Sequence, residues 1–465
     1  MIQITTIFIL AISIAYPLNS IELNQVLYDS LKHNNLQSAL VGVKIIDPQS
    51  NTIIFSRNAD KSFVPVSNTK LLTGIAGLLF LGKDFRFETK LYYDKINNHS
   101  IDNLYIEFSG DPSFTRENLH KLLISLQKSN INNIKNIYFV NCYFEGRDTP
   151  INQSNTSSIF AYGAPSSIYN LNENAIILQL TPNSNTFKIS QTVGEKINFI
   201  NKLFIASPEQ LKTCQFNAYY YRDNILVLSG CLPSNSYTFS FAIEDPQQFM
   251  QQAVLTELAQ LKVSLTNQIK ITNKLPNNLI LLAKHKSADL TKLLKHMLVT
   301  SDNLYAHTIT RTIGYYHNQV GSIISGKNAI IEILKNKLKV DTDGIQIEDG
   351  AGMSENDLLS ADFITSLLQQ MSQQDNFELF KSLLPIYGES GTLKNRSSKL
   401  LKGKVIAKTG TGTTAVTISG YLYTNNKQYI FSILINNLKN SQKSKPIALE
   451  RDLLEGICYY YNMII

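Results

Sequence analysis

The chain lacks several patterns that define common classes of protein. It has no run of five or more Lys and Arg residues and no C2H2 or RNP-type motif, so its net charge of +7 indicates a mildly basic surface and not a nucleic-acid-binding protein. It has no H-E-x-x-H or C-x-x-C motif and no G-x-S-x-G nucleophile elbow. These absences argue against a zinc peptidase and against a hydrolase built on that elbow.

Long hydrophobic runs are also scarce. Residues 4–18 form an uncharged apolar run of about 15 residues, which is short for crossing a bilayer but fits the central region of a signal peptide. No later segment has 18 consecutive apolar residues. We predict that residues 1–20 are a signal peptide and that the exported, mature protein has no transmembrane segment. The first three residues contain no Lys or Arg, so a retained anchor or a buried helix is the alternative.

The chain has only four cysteines, and none has the spacing of metal ligands. Cys214 and Cys231 bracket two strand-like runs, and a hairpin there would place the two thiols opposite each other. In an oxidising compartment these cysteines either form a disulfide or remain free thiols, and the sequence leaves both outcomes open. Cys142 and Cys458 lie far apart in the sequence, and a disulfide between them is a second, weaker hypothesis.

The sequence contains three short motifs, in the order Ser67-Asn68-Thr69-Lys70, Ser301-Asp302-Asn303 and Lys408-Thr409-Gly410. Each alone is ordinary, since such residues also form a helix cap, a polar turn or a strand end. Here the first motif precedes residues 71–81, which are apolar almost all round and therefore predict a buried helix. The third motif follows a strand-like run at 405–407. Together, in this order, the motifs are typical of serine enzymes that recognise penicillin.

These residues suit nucleophilic catalysis by an activated serine. Ser67 is the candidate nucleophile, and Lys70, one helical turn away, is the candidate base. To act as a base Lys70 must be neutral, which burial and a nearby second cation such as Lys408 would favour. Ser301 is suited to relay a proton to the leaving amine, and Asn303 to hold the substrate backbone.

The third motif also offers groups for binding. A tetrahedral oxyanion needs two donors, and the main-chain N–H groups of Ser67 and Thr411 are the candidates. Lys408, Thr409 and Thr411, with Gly410 between them, present a cation and hydroxyls suited to a terminal carboxylate. No metal is predicted.

Two of the seven histidines, His296 and His307, flank Ser301 in the sequence. We predict that they pack against neighbours or face solvent, and that they do not form a Ser-His-Asp triad.

The spacing of the motifs predicts a divided domain. Ser301 follows Ser67 by 234 residues, whereas Lys408 follows Ser301 by 107. Residues 88–275 contain mainly short strand-like runs and no reactive triplet. Strands near the C-terminus, with helical patterns on both sides, predict an α+β (α/β) fold in which an antiparallel sheet is covered by helices.

At these motifs the chain resembles the low-molecular-mass class C penicillin-binding proteins, the D-alanyl-D-alanine carboxypeptidase/endopeptidase family of penicillin-binding protein 4 type (peptidase family S13). The resemblance extends to further segments, which are Ser109-Gly110-Asp111-Pro112, Tyr162-Gly163-Ala164-Pro165, Asp349-Gly350-Ala351-Gly352-Met353-Ser354 and Gly391-Thr392-Leu393. It implies a transpeptidase-like catalytic domain at 21–87 and 276–465, split by two nested accessory domains at 88–275.

The same resemblance implies an activity. Such proteins cleave the terminal D-Ala-D-Ala bond of peptidoglycan stem peptides, or D-Ala–diaminopimelate cross-links, through an acyl-serine, and β-lactams acylate them. It implies a periplasmic location and no metal or organic cofactor. Two alternatives are a β-lactamase or esterase of the same fold, and a catalytically idle module that binds or organises peptidoglycan.

Two positions depart from the family pattern. Glu355 stands where an Arg often helps to bind the diaminopimelate carboxylate, and Asn141 stands where the insertion usually has Asp. Both departures predict an altered preference for the stem peptide, with the acylation chemistry unchanged.

Overall fold

The computed structural model describes residues 20–146, 149, 159–193, 195–221, 223–424, 427–439 and 443–462. Apart from Ser20, which begins the first helix, the predicted signal peptide lies outside the described residues. No helix within these described ranges is long and apolar enough to cross a membrane.

The elements below are numbered in chain order. The described helices are α1 Ser20–His33, α2 Thr69–Phe80, α3 Arg116–Lys128, α4 Pro246–Gln260, α5 Leu290–Thr300, α6 Asn303–Asn318, α7 Ile323–Leu338, α8 Ala361–Ser372, α9 Phe377–Ser382 and α10 Ser444–Asn462. The described strands are β1 Leu40–Asp47, β2 Thr52–Arg57, β3 Ser62–Phe63, β4 Glu88–Tyr93, β5 Ile96–Asn97, β6 Ser100–Glu107, β7 Asn133–Val140, β8 Ala175–Asn183, β9 Thr186–Val193, β10 Phe199–Ile205, β11 Asn217–Tyr220, β12 Leu226–Leu232, β13 Tyr237–Ala242, β14 Ser264–Leu265, β15 Lys270–Thr272, β16 Ile280–Lys286, β17 Leu359–Ser360, β18 Val405–Thr411, β19 Val416–Tyr423 and β20 Gln428–Asn436.

A five-stranded antiparallel sheet, in the order β18-β19-β20-β1-β2, forms the centre of the part of the molecule outside residues 88–286. Strands β19 and β20 are buried along nearly their whole length, because helices cover both faces of the sheet. One face packs against α1 and α10 through Leu23 and Leu453, and the other packs against α2 and α5–α8 through Leu71 and Leu294. The predicted antiparallel sheet flanked by helices is confirmed.

Helix α2 is the buried helix that the apolar run predicted. Pro65 precedes the 3-10 turn Val66–Asn68, and α2 then runs from Thr69 to Phe80. Its residues from Thr69 to Leu78 are all buried. Each fully buried leucine contributes about 1.5–3 kcal/mol of hydrophobic stabilisation, so the helix that carries the first motif is firmly held.

The helices around the second motif differ from the sequence expectation in one respect. Helix α5 ends at Thr300 and leads directly into Ser301. A second helix, α6, starts immediately afterwards at Asn303 and was not predicted. The two helices are separated by Ser301 and Asp302 only, so the second motif is a break between two helices.

Residues 88–286 form sheets and a hydrophobic core of their own. A seven-stranded mixed sheet has the order β14-β7-β6-β4-β16, with β15 on β7 and β5 on β6, and two three-stranded sheets have the orders β13-β8-β9 and β10-β12-β11. One apolar cluster connects them, including Leu91, Phe139 and Leu228. The division into domains remains a prediction. Because β16 pairs with β4, we move the proposed end of the insertion from residue 275 to Lys286.

The cysteines divide into one pair and two single thiols. Cys214, three residues before β11, and Cys231, in β12, form a disulfide with their Cα atoms 5.9 Å apart. Of the two outcomes that the sequence left open, the structure shows the disulfide. Cys142 and Cys458 are free thiols, so the hypothesis of a bond between them is wrong.

Candidate active site

The first motif lies where a short turn passes into α2. Ser67 belongs to the 3-10 turn Val66–Asn68, and Lys70 lies in the first turn of the helix. Residues three apart on a helix share a face, and Lys70 Nζ lies 2.9 Å from Ser67 Oγ. A hydroxyl and an amine are thus in direct hydrogen-bonding contact.

Lys70 Nζ has two further neighbours that can only accept a hydrogen bond. They are Asn303 Oδ1 at 2.6 Å and the Ala351 carbonyl at 2.7 Å. The opposite end of the Asn303 amide fixes its orientation, because Nδ2 donates to the Tyr162 carbonyl at 2.7 Å. A neutral amine has two N–H bonds and one lone pair. When both N–H bonds are directed at these two acceptors, the lone pair faces Ser67 Oγ.

Burial dominates the ionisation of Lys70. The side chain is 0% exposed, and the loss of hydration lowers its pKa from 10.5 to about 8. The carboxylates of Asp349, Asp302 and Asp357 act in the opposite direction. The sequence suggested that Lys408 would also lower this pKa. Burial first and the neighbouring Lys70 second hold the pKa of Lys408 well below its usual range.

Ser301 occupies a strained backbone position between the two helices. Its φ of 64° and ψ of 36° are left-handed, a conformation that costs a residue with a side chain about 1 kcal/mol. Asp302 caps α6 by accepting from the Tyr305 amide at 3.0 Å, which holds the break in place. In this position the Ser301 hydroxyl accepts a hydrogen bond from Lys408 Nζ at 2.8 Å.

Lys408 lies beneath the site and does not line it. Its side chain is 0% exposed, and Nζ also donates to the Thr409 carbonyl at 2.7 Å. We expected the Lys408 side chain to face the groove. Instead it contacts the hydroxyl of Ser301, which does line the groove. The side chain of Thr409 does face the groove and bonds Thr392, with the two hydroxyl oxygens 2.6 Å apart.

Gly410 lets strand β18 pass close to Ser67. A Cβ atom at this position would lie 2.3 Å from Thr417 Oγ1 and 3.0 Å from the amide nitrogen of Ser67. Real Cβ atoms essentially never approach within 3.0 Å of another heavy atom, so a side chain there would displace the strand. The glycine thus brings the main chain before Thr411 next to that of Ser67.

These groups open into one groove of about 1120 Å³. Ser67 and Ser301 lie in it, together with side chains of β18 and of the segments near residues 352 and 392. The lining residues are Val64, Val66, Ser67, Tyr162, Ser301, Asn303, Gly352, Met353, Ser354, Glu355, Asn356, Thr392, Arg396, Thr409, Thr411, Gly412, Thr413, Thr414, Ala415 and Ile447. The groove is large enough for a peptide of several residues.

The two departures from the family pattern lie in different places. Glu355 is exposed and lines the groove. Asn141 lines a separate pocket of about 600 Å³ with Glu145 and Arg311, and its side chain accepts from the Phe144 amide at 3.2 Å. Of the two, Glu355 is the residue in the same groove as Ser67.

The two histidines pack against their neighbours, as predicted. His307 is 2% exposed, with Nε2 3.6 Å from Asp349. His296 Nε2 lies 3.6 Å from both Asp302 and Glu173. The side chains of His296, Asp302 and Glu173 place potential metal-binding atoms within 4.8 Å of one another. Ion pairing accounts for this cluster, and we assign no metal to it.

The structure adds groups for which the sequence gave no role. The carbonyls of Ala351 and Tyr162 and the hydroxyl of Thr392 all contact candidate site residues. Their segments were noticed only as part of the family resemblance. Main-chain carbonyls carry no residue-type signal, so a sequence pattern can mark such a segment but cannot show which atom is used.

Comparison with known proteins agrees with this geometry. The model of the D-Ala-D-Ala carboxypeptidase 3 (S13) family matches residues 23–454. The D-alanyl-D-alanine carboxypeptidase DacB of Haemophilus influenzae is 27% identical over 430 residues, which cover 88% of this chain and 89% of that protein.

Solved structures give the same result. The crystal structure of penicillin binding protein 4 (dacB) from Haemophilus influenzae superposes with a TM-score of 0.87 and 25% identity, covering 95% of this chain and 99% of that one. Its complex with a novel β-lactam gives a TM-score of 0.82 and 25% identity, covering 94% and 99%. The family match covers nearly all of the chain, and this protein belongs to the D-Ala-D-Ala carboxypeptidase 3 (S13) family.

Proposed function

We propose that this protein is a serine D,D-peptidase that cleaves the terminal D-Ala-D-Ala bond of peptidoglycan stem peptides through an acyl-serine. The observation that carries the proposal is the contact of 2.9 Å between Ser67 Oγ and Lys70 Nζ at the base of a peptide-sized groove. Family membership supports the same reaction, since the relatives named above are D-alanyl-D-alanine carboxypeptidases.

In the acylation step, Ser67 Oγ attacks the carbonyl carbon of the scissile peptide bond while its proton passes to the lone pair of Lys70. The negative charge that develops on the carbonyl oxygen is stabilised by the N–H groups of Ser67 and Thr411. The close approach of β18 to Ser67 at Gly410 supports this pairing of donors.

Collapse of the tetrahedral intermediate breaks the C–N bond, and the leaving D-alanine amine takes a proton. Ser301 is the proposed relay for that proton, and Lys408, 2.8 Å from its hydroxyl, polarises it. Asn303 holds Lys70 on one side and faces the groove, where it can also bind the substrate backbone. Water then hydrolyses the acyl-serine and regenerates Ser67.

The proposed substrate-binding residues are Thr409, Gly410 and Thr411. Thr409 and Thr411 line the groove, where their hydroxyls would receive the terminal carboxylate, and Lys408 acts from beneath through its hydrogen bond to Ser301. A penicillin carries a carboxylate next to a strained amide, so the same groups would bind it, and Ser67 would open its ring. The β-lactam complex of the Haemophilus influenzae relative supports β-lactams as ligands.

We further propose that the protein is exported to the periplasm. The apolar run at residues 4–18 supports a signal peptide, and the disulfide between Cys214 and Cys231 fits an oxidising compartment. Peptidoglycan, the proposed partner, lies in that compartment.

The decisive experiment is labelling with a fluorescent penicillin. We expect the mature wild-type protein to be labelled covalently and the Ser67→Ala variant not to be labelled. An unlabelled wild type, or a labelled variant, would refute the assignment of the nucleophile. A labelled species that loses its label within seconds would favour the β-lactamase alternative.

A second assay addresses the substrate. Purified monomeric and cross-linked muropeptides are digested separately, and the release of D-alanine is compared with the loss of cross-links. Release from monomers is expected if the protein is a carboxypeptidase, and loss of cross-links would add endopeptidase activity. No product from either, with normal penicillin labelling, would refute peptidase function.

A further inference from the structure

The amine of Lys70 depends on a main-chain carbonyl for its orientation. The Ala351 carbonyl accepts one of its N–H bonds at 2.7 Å, and Asn303 Oδ1 accepts another. If the carbonyl turned away, the amine could rotate and its lone pair would no longer be held toward Ser67. The turn that carries this carbonyl therefore needs to be fixed.

A single buried carboxylate fixes that turn. Asp349 is 0% exposed, and it accepts from the amides of Ala351 at 2.6 Å, Gly352 at 2.6 Å and Met353 at 3.1 Å. Three consecutive amides that converge on one side chain define the orientation of their peptide planes. His307 packs against the same carboxylate, with Nε2 3.6 Å from Oδ1.

The connection from Asp349 to Lys70 passes through one peptide unit. The Ala351 carbonyl and the Gly352 N–H belong to the same planar, trans amide, so they point in opposite directions. Asp349 binds the N–H end and Lys70 binds the carbonyl end. The bond to the carboxylate therefore aims the carbonyl at the amine, and polarisation along the amide strengthens both contacts.

The turn also touches the main chain just before the nucleophile. Gly352 has a φ of +79°, and a Cβ atom on it would lie 1.8 Å from the Val66 carbonyl oxygen. The turn thus packs directly against the residue that precedes Ser67, with no space for a side chain. A shift of the turn would be transmitted to both Ser67 and Lys70.

We propose that Asp349 is a positioning residue for acylation, which directs the lone pair of Lys70 at Ser67 through the peptide unit between Ala351 and Gly352. The inference rests on the proposed function. Asp349 does not line the groove, so it acts on the rate of acylation and not on the binding of the β-lactam.

The test compares two buried aspartates in the full mature chain. Asp349→Asn weakens the acceptor of the turn, whereas Asp47→Asn is the matched control. Asp47 is 2% exposed and likewise accepts from two main-chain amides, those of Gln49 and Ser50, but it lies at the end of β1. For each protein the dissociation constant of the initial penicillin complex, the limiting acylation rate and the melting temperature are measured across pH.

We expect the limiting acylation rate of Asp349→Asn to fall about 100-fold, the loss typical of a misplaced reacting group, with the dissociation constant unchanged. The acidic limb of its pH–rate profile should also move to lower pH, because a carboxylate that raises the pKa of Lys70 has been removed. Asp47→Asn should lose a comparable amount of thermal stability and keep the wild-type rate and profile. A purely structural role of Asp349 would not lower the limiting rate beyond that of Asp47→Asn at a comparable loss of thermal stability.

Two results would overturn the inference: an Asp349→Asn variant that acylates at the wild-type rate, or an equal loss in Asp47→Asn. If Asp349→Asn does not fold, incorporation of glycolic acid in place of Gly352 by nonsense suppression decides the matter, since it removes the N–H of the critical peptide unit and keeps Asp349. A normal rate for that ester variant would refute the inference. An unlabelled wild type would refute the proposed function itself, which is a separate outcome.

Discussion

Acylation by this protein should depend on pH through the ionisation of Lys70. An ammonium group has no lone pair, so Lys70 can accept the proton of Ser67 only when it is neutral. Its pKa is lowered from 10.5 to about 8 by burial, and the neutral fraction is therefore roughly one tenth at pH 7 and roughly one half at pH 8. An exposed lysine, by contrast, would be neutral in less than about one molecule in a thousand at pH 7.

The expected profile follows from these fractions. The second-order rate constant for acylation should rise about tenfold per pH unit below the midpoint and level off above it, because the rate is proportional to the neutral fraction of the free enzyme. The lowering of the pKa corresponds to about 3 kcal/mol of net destabilisation of the ammonium form, which is the burial penalty less the attraction of the three nearby carboxylates.

The assay is the rate of covalent labelling by a fluorescent penicillin at low concentration, measured from about pH 5.5 to about pH 9.5 with the melting temperature followed in parallel. Lys70→Arg is the control, since a guanidinium keeps its proton throughout this range and should not support labelling at any pH. A rate that is flat across neutral pH, or a midpoint near the value of an exposed lysine, would refute the assignment of Lys70 as the base.

Three further predictions concern the surroundings of the site. Gly352→Ala should destabilise the protein by about 1–3 kcal/mol and slow penicillin labelling, because of its positive φ and the clash with the Val66 carbonyl; an unchanged melting temperature would contradict this. Cys214→Ser should lower the free energy of unfolding by about 3 kcal/mol, because the bond to Cys231 closes a loop with a sequence separation of 17. Penicillin labelling at 25 °C should persist. Unfolding of the wild type with and without reductant checks the first expectation. Glu355→Gln should change the ranking of muropeptide substrates more than the rate of penicillin labelling, because Glu355 lines the groove; equal effects on both would count against a role in peptide choice.

Much of the local structure around the site was predictable from the sequence. The spacing of Ser67 and Lys70 puts both on one face of a helix, and the apolar run after them requires burial of that helix, as α2 confirms. The strand that carries Lys408 and the two strands after it were also predictable from their apolar runs. These features depend on residues within a few positions of one another.

Other features depend on residues that are remote in the sequence. Helix α6 begins two residues after Ser301, and that serine has a left-handed conformation that its residue type does not favour. The pairing of β16 with β4 likewise moved the proposed boundary of the insertion, since a strand partner cannot be read from one strand alone.

The sequence by itself determined the family, the order of the motifs and the identity of the candidate nucleophile and base, because these are properties of residue type and short spacing. Only the tertiary structure decided how the Lys70 amine is oriented and how far its pKa is lowered. The contact between Lys70 and the Ala351 carbonyl joins positions 281 residues apart, and its acceptor is a main-chain atom that every residue possesses. The lowered pKa of Lys70 arises from burial, and burial exists only once distant segments have packed together.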